Sequence, residues 1–329
     1  LLKEQGYHVI GATMRLWTYS DSCNMTHEGC CAESAVEDAR RVCDKLGIDF
    51  YVMNFKDMFK DKVVDYFVDE YIHGRTPNPC IACNKYLKFD ALLKKALAMG
   101  IDYVATGHYA KIEKGEDGKY ILRASEAVKK DQSYVLYNFT QEQLAHTLMP
   151  LGGYNKDWVR QKAEELGLGV AHKPDSQEIC FVEDDDYAKF ITDYSGYKPK
   201  EGDILDVNGN VIGKHRGLIY YTIGQRKGIG AYGRPMFVMK IDAENNTITL
   251  GEKGMEFSNE LTAYDVNFVS GEFPKENMLI TAKVRYQAPP AEAMLCPQKD
   301  GTVKLMFPEP QRAVTPGQAV VFYDGDIVL

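Results

Sequence analysis

Hydrophobic positions in the first two hundred residues alternate between short apolar runs and amphipathic stretches with a period near 3.6. Apolar runs predict strands and amphipathic stretches predict helices. Predicted strands cover 9–14, 50–54 and 103–106, predicted helices cover 34–45, 57–71, 85–99, 141–148 and 157–166, and 111–123 is a predicted hairpin. Alternating strands and helices are typical of an α/β fold with a doubly wound parallel sheet. Ligands of such sheets bind beyond the carboxyl ends of the strands, where Gly107 and His108 fall.

The pattern changes after about residue 194, where short β-rich runs are separated by frequent turns. The runs lie at 218–223, 237–241, 247–250, 282–286, 303–307 and 319–323. Asn208-Gly209 is a strong hairpin signal. These features predict one or two small β-barrels. The predicted domains are 1–195, an α/β domain, 196–254, a small central β domain, and 255–329, a C-terminal β-barrel.

Composition excludes several classes of protein. The chain has 329 residues, 45% of them hydrophobic, which is enough for two or three domains. No apolar run is long enough to span a membrane. Its eight cysteines are irregularly spaced, so a secreted disulfide framework is not indicated and we expect a cytoplasmic protein.

The charge distribution is uneven. A net charge of −8 argues against indiscriminate nucleic-acid binding. The stretch 207–241 nevertheless has six Lys or Arg residues and no acid, with Tyr220, Tyr221 and Tyr232 interleaved. Cations alternating with stacking rings are typical of RNA-binding surfaces, although an ordinary solvated β surface is an equal alternative.

Cys80 and Cys83 form a Cys-x-x-Cys pair, a spacing that suits either thiol chemistry or half of a metal site. Pro77 and Pro79 favour an extended approach, and a helix is predicted from Lys85. Cys83 would then lie at a helix N-terminus, where the macrodipole favours a thiolate. A reactive sulfur is the preferred interpretation, with a chance spacing as the alternative.

Other candidate motifs are weaker. Cys23, His27, Cys30 and Cys31 match no standard zinc spacing, so incidental thiols are the better interpretation. Cys43 is expected in the core and Cys296 in the β region. The glycine-rich segment 224–230 is predicted to be a turn. The chain contains no Gly-x-Gly-x-x-Gly after a strand, which argues against a Rossmann-type dehydrogenase or methyltransferase.

Several motifs in order along the whole chain resemble those of the bacterial tRNA-specific 2-thiouridylase family. They are Gly74-Arg75-Thr76-Pro77-Asn78-Pro79, Cys83-Asn84-Lys85, Ala105-Thr106-Gly107-His108-Tyr109, Lys130-Asp131-Gln132-Ser133-Tyr134, Ile179-Cys180-Phe181, Gly224-Gln225-Arg226-Lys227-Gly228 and Thr315-Pro316-Gly317-Gln318. The resemblance implies an ATP-dependent sulfurtransferase on an adenine nucleotide alpha hydrolase-like fold. Its reaction is adenylation of the wobble uridine of tRNA at C2, followed by sulfur transfer.

The resemblance also implies roles for particular residues. Cys180 would carry a persulfide, and Cys83 would be the nucleophile that forms a transient disulfide with it. Met14 and Gly107 would bind ATP, and Asn78, Pro79 and Cys80 would contact the target base. The implied tRNA contacts are His108, Lys130, Asp131, Gln132, Arg285, Tyr286 and Gln318. Implied partners are ATP, Mg²⁺, tRNA and a persulfide sulfur-donor protein, and the two β domains would bind tRNA. We expect a monomer.

Cys80 departs from those relatives that carry Asp at this position. A third thiol opens an alternative in which Cys80, Cys83 and Cys180 ligate a [4Fe–4S] cluster. Two further alternatives are another adenylating enzyme on the same fold and a non-catalytic, metal-stapled RNA-binding protein. The family's Ser-Gly-Gly-Val-Asp-Ser phosphate loop would precede Leu1, so a polypeptide that starts there is expected neither to hydrolyse ATP nor to thiolate tRNA.

Overall fold

The computed structural model describes residues 1–17, 33–173, 179–182 and 185–329. These residues form two compact units. The first unit comprises Leu1–Val64 and Cys80–Asp185, and the second comprises Asp65–Pro79 and Asp186–Leu329. The segment Asp65–Pro79 therefore belongs to the unit that contains the β-rich half, although in sequence it interrupts the α/β unit.

Parallel strand pairs organise the first unit. Gly11–Arg15 pairs in parallel with Phe50–Asn54, and Val104–Ala105 pairs in parallel with Thr147–Leu148. Helices follow the strands, as expected for chains that return to the same edge of a sheet. The predicted α/β fold class is therefore confirmed, and the predicted hairpin is present as the antiparallel pair Ala110–Lys114 and Tyr120–Ala124.

The predicted helices lie close to their predicted positions, with two differences in their bounds, and the helix Tyr187–Ser195 was not predicted. Four helices are uninterrupted: Glu33–Leu46, Gln141–Ala145, Lys156–Glu165 and Tyr187–Ser195. Two longer helical runs contain a π-helical segment. The first consists of Lys56–Phe59, the π-helical turn Lys60–Val64 and Asp65–Ile72, and the second of Pro79–Ala82, the π-helix Cys83–Ala91 and Leu92–Ala98. Single 3-10 turns occur at Val128–Lys130 and Ser133–Leu136. The helix predicted over 141–148 was too long, because Thr147–Leu148 pairs as a strand instead. The other difference is an earlier start at Pro79, described below.

A glycine brings the first strand close to the first helix. A Cβ atom built on Gly11 would overlap the Cys43 sulfur, so any other residue at this position would require the Cys43 side chain to shift. The prediction that Cys43 is a core residue is confirmed, since it is 6% exposed. Burial, with a smaller contribution from Asp44, raises the pKa of the Cys43 thiol.

The second unit contains two β sheets. The first has four strands, in the spatial order Val211–His215, Gly202–Leu205, Thr247–Glu252 and Met236–Asp242. Its core includes Ile204, Val238 and Ile248. The run predicted as a strand at 218–223 was wrong in type, because it forms the 3-10 turn Leu218–Tyr220. The glycine-rich segment that follows consists of turns, as predicted.

The second sheet is built from the C-terminal strands Phe257–Ala263, Met278–Lys283, Ala291–Pro297, Val303–Arg312, Val321–Asp324 and Ile327–Val328. Neighbouring strands pair antiparallel, for example Thr281 opposite Glu292. Alternate residues such as Ala293, Leu295 and Leu305 point into a shared apolar core, as the period of two requires. None of the helices in the described part of the chain is long and apolar enough to cross a membrane.

Candidate active site

The Cys-x-x-Cys pair lies in a helix, not in a loop. The helical run 79–98, here called the thiol helix, begins at Pro79. The sequence prediction placed this start at Lys85 and was wrong, because proline at the first helical position loses no hydrogen bond and its fixed φ suits the helix. Cys80 lies in the first turn and is exposed, whereas Cys83 lies a turn further along and is buried.

The position of each thiol changes the electrostatic argument. A helix N-terminus attracts anions within its first turn only. That field therefore acts on Cys80 more than on Cys83, contrary to the expectation from sequence. Cys83 opens the π-helical stretch Cys83–Ala91, and π-helical segments occur often at functional sites.

Asn84 ties the thiol helix to a neighbouring turn. It is 3% exposed, and its Nδ2 donates to the carbonyl of Val135 at 3.0 Å. Its Oδ1 has no hydrogen-bond partner among the described residues. Sequence reasoning did not assign Asn84 a role, although a buried amide beside a candidate nucleophile is itself a signal of precise positioning.

Cys180 is half-buried in the short turn 179–182. The Val182 N–H donates to the Ile179 carbonyl at 3.0 Å and closes this turn. The side chain of Phe181 is 1% exposed, so the residue next to Cys180 is fully inserted into the first unit. Cys180 is therefore attached to the body of this unit by its neighbour.

The ring of Phe181 packs against two other aromatic rings. Its ring centroid lies 5.7 Å from that of Phe59 in a T-shaped arrangement and 6.4 Å from that of Trp17. Trp17 follows the strand Gly11–Arg15, so Cys180 is anchored beyond the carboxyl end of that strand. The helix Lys56–Phe59 also packs against the thiol helix. One short helix thus contacts both thiol-bearing elements, and sequence reasoning missed this anchor.

The candidate ATP-binding residues occupy the strand ends that the fold class predicts. Met14 is near the end of its strand, and Gly107 follows the strand Val104–Ala105. The nearest atom to a Cβ built on Gly107 is a Leu151 methyl at 3.6 Å, so the backbone is open to an approaching group. Parallel strand ends with an uncrowded glycine suit a nucleotide.

His108 is held by internal contacts. Its Nδ1 lies 2.8 Å from the Thr106 hydroxyl, and its ring packs against Phe89 with centroids 5.8 Å apart. Burial, and secondly the charge of Lys88, lowers the pKa of His108 to about 3. A tRNA contact made by His108 would therefore use a neutral imidazole rather than a cation.

Asp131 and Gln132 use their side chains to shape the loop that contains them. Asp131 accepts hydrogen bonds from the Ser125 and Ser133 amides at 2.9 and 3.2 Å. The Tyr109 backbone N–H donates to Gln132 Oε1 at 3.0 Å, and the Gln132 backbone N–H donates to the Tyr109 carbonyl. The predicted tRNA contact Lys130, by contrast, is exposed.

The predicted tRNA contacts of the second unit are of two kinds. Tyr286 is 37% exposed, and Lys283 lies over its ring at 5.9 Å. This pair combines a cation with a stacking surface. The Arg285 guanidinium donates to the Ala313 carbonyl, and the Gln318 side chain also bonds within the protein.

Cys80, Cys83 and Cys180 do not form a metal site with the other described residues. Among residues 1–17, 33–173, 179–182 and 185–329, no three His, Cys, Asp or Glu side chains are placed to hold a metal ion. Cys80, Cys83 and Cys180 all lie in these ranges and are not gathered as the cluster alternative requires. The set Cys23, His27, Cys30 and Cys31 lies outside the described residues.

Comparison with known families divides the chain into three parts. The family model described as the tRNA methyl transferase HUP domain matches residues 1–184. The tRNA methyl transferase PRC-barrel domain model matches 188–252, and the aminomethyltransferase beta-barrel domain model matches 258–329. A HUP domain followed by two β domains defines a class of tRNA-modifying enzymes.

Curated relatives specify the family within this class. The chain is 58% identical to the tRNA-specific 2-thiouridylase MnmA of Acetivibrio thermocellus, over all of this chain and 92% of the relative. It is 57% identical to the protein of the same name from Clostridioides difficile, over all of this chain and 91% of the relative. The chain belongs to the tRNA-specific 2-thiouridylase family.

Proposed function

We propose that this protein replaces the C2 oxygen of the wobble uridine of tRNA with sulfur that Cys180 carries as a persulfide. The observation that carries the proposal is the shared support of the two thiol-bearing elements. The helix Lys56–Phe59 packs against the thiol helix, and Phe59 also receives the residue next to Cys180. Family membership supports the same reaction.

Activation precedes sulfur transfer, because a carbonyl oxygen is a poor leaving group. The uridine O2 attacks the α-phosphorus of ATP, and pyrophosphate leaves. Met14 and Gly107 would border the nucleotide at the strand ends, where the backbone of Gly107 is uncrowded. Mg²⁺ would neutralise phosphate charge.

Sulfur transfer then uses both thiols. The terminal sulfur of the Cys180 persulfide attacks C2, and AMP leaves with the former O2. The Cys83 thiolate next attacks the Cys180 sulfur, which breaks the sulfur–sulfur bond to the nucleoside. The products are 2-thiouridine and a Cys83–Cys180 disulfide, which an external dithiol then reduces. The two Cα atoms must come within about 7 Å at that stage.

The tRNA would lie on the two β domains and on the exposed loop at Lys130. Lys283 and Tyr286 supply a cation and a ring on the C-terminal domain. In the stretch 207–241, Lys214, Arg234 and Lys240 pair with Asp203, Glu252 and Asp242. Arg216 instead stacks over the Tyr220 ring at 4.0 Å and would supply a cation and a ring to the nucleic acid. Asn78, Pro79 and Cys80 would face the extruded base at the start of the thiol helix. A persulfide-carrying protein would load Cys180, and the protein would act as a cytoplasmic monomer.

The test compares Cys83→Ser, Cys180→Ser and the control Cys296→Ser in the full-length protein. We expect the first two variants to bind tRNA normally and to yield no 2-thiouridine, whereas Cys296→Ser retains activity because it lies in the C-terminal β domain. Thiolated nucleoside from Cys83→Ser or Cys180→Ser rejects the persulfide route. Loss of activity on iron chelation, with a broad absorbance at about 400 nm in the anaerobic protein, would favour the cluster instead.

A further inference from the structure

Thr76 is held by residues from both β-rich parts of the second unit. Its backbone N–H donates to the Pro316 carbonyl at 2.9 Å, and its carbonyl accepts from Gln318 Nε2 at 2.6 Å. Its hydroxyl donates to that of Thr222 at 3.4 Å. Both backbone polar groups of Thr76 are thus satisfied by a turn that is more than two hundred residues away in sequence.

Glycine makes this contact possible. Gly317 has a φ of +91°, and a Cβ built on it would lie 2.8 Å from the Thr76 nitrogen and 3.0 Å from its carbonyl carbon and oxygen. No side chain fits in that space, because the obstacle is backbone. The Thr315–Gln318 turn therefore contacts Thr76 at a distance that only glycine permits.

The chain between Thr76 and the thiol helix is stiff. Its sequence is Thr76-Pro77-Asn78-Pro79, so each residue is a proline or precedes one. Proline fixes its own φ, and it restricts the residue before it to extended conformations. A displacement at Thr76 is therefore passed on to Pro79, where the thiol helix begins.

We propose that Gln318 and Gly317 are positioning residues for thiolation, which hold Thr76 and through it set the place of Asn78 and of Pro79, the first residue of the thiol helix. The proposal rests on the function proposed above. It assigns the Gln318 amide to the protein's own backbone rather than to tRNA, since Nε2 already donates to Thr76. Displacement of a reacting group by about 1 Å can slow chemistry about a hundredfold.

The experiment uses Gln318→Ala, Gln318→Glu and Gly317→Ala in the full-length protein. We expect the single-turnover rate of thiolation at saturating tRNA to fall about tenfold in both Gln318 variants and about a hundredfold in Gly317→Ala. Gln318→Glu behaves like alanine because a carboxylate cannot donate to the Thr76 carbonyl. The Kd for tRNA should change by less than about threefold, and hydrogen exchange at the Thr76 amide should accelerate.

Matched controls distinguish the contact between Thr76 and the Thr315–Gln318 turn from general effects of the substitutions. Gly301 also has a positive φ, at +84°, but nothing lies within 4 Å of its Cβ position. Gln298 donates to the Cys296 carbonyl within its own hairpin. Gly301→Ala and Gln298→Ala should leave both the thiolation rate and exchange at Thr76 unchanged.

Each remaining outcome contradicts a defined part of the inference. A weaker Kd in Gln318→Ala with a normal rate at saturation would make Gln318 a tRNA contact and overturn the proposal. Faster exchange at the Thr76 amide with a normal thiolation rate would show that the contact with the Thr315–Gln318 turn exists without affecting chemistry, which also overturns the proposal. A wild-type protein that forms no 2-thiouridine refutes the proposed function, whereas wild-type activity with unaffected variants refutes only the positioning role.

Discussion

The Phe181 anchor offers the sharpest test of how Cys180 is presented. Phe181 is 1% exposed and contacts the rings of Phe59 and Trp17. Burial of a phenylalanine side chain contributes about 1.5–3 kcal/mol, and each aromatic pair adds roughly 0.5–1.5 kcal/mol. Phe181→Ala should therefore remove about 3 kcal/mol of local anchoring, which corresponds to a roughly hundredfold shift from the anchored to the released turn.

The assay follows the Cys180 thiol directly. In Phe181→Ala we expect faster alkylation of Cys180 by iodoacetamide, because the released turn is more accessible, and a single-turnover thiolation rate that is lower by at most about a hundredfold. Phe181→Leu should lie between this variant and the wild type. Phe322→Ala is the control, since Phe322 is 5% exposed in the C-terminal core and its loss removes similar packing elsewhere. Unchanged alkylation and thiolation in Phe181→Ala would refute the anchoring argument.

Three further predictions concern stability. The folded-state pKa of His108, about 3, lies below the unfolded value of about 6.5. Protonation therefore favours the unfolded chain, and the free energy of unfolding falls as the pH drops between these values. Denaturant unfolding of His108→Gln should show a smaller loss of stability over this range than the wild type, and an identical pH dependence would contradict the argument. Arg75 Nε donates to the buried Glu70 carboxylate at 2.9 Å. Arg75→Ala should therefore lower the free energy of unfolding by about 1–3 kcal/mol, and adding Glu70→Gln should recover part of that loss, both measured by thermal unfolding. Asn84→Ala leaves the buried Val135 carbonyl unpaired and should lower the unfolding free energy by about 1–3 kcal/mol in urea; no measurable loss would show that water replaces the amide.

Local pattern was enough to predict the fold class and most elements of the first unit. The strand Phe50–Asn54 has its predicted bounds, and Glu33–Leu46 and Lys156–Glu165 differ from prediction by a residue at each end. These segments have strong periodicity or clear boundaries. The start at Pro79 was misplaced because proline is a helix breaker in the interior but a favoured first residue, and sequence alone does not separate the two cases.

The candidate site was predicted by residue type rather than by contact. Sequence motifs selected Asp131, Gln132 and Gln318, but not the backbone groups that occupy their side chains. The partners of Gln318 lie far away along the chain, and local pattern carries no information about such pairs. The anchor at Phe181 was missed for the same reason, since a single phenylalanine has no periodicity.

The approach of Gly11 to Cys43 has a consequence for the proposed sulfur transfer. A thiol that stays protonated is a poor nucleophile towards a persulfide, and Cys43 is enclosed against the first strand with its pKa raised by burial. In the proposed mechanism, Cys43 is therefore not a competing acceptor for the persulfide proposed on Cys180. In Gly11→Ala the added methyl group would overlap the Cys43 sulfur, and a Cys43 thiol displaced from its burial would compete for sulfur in the proposed mechanism.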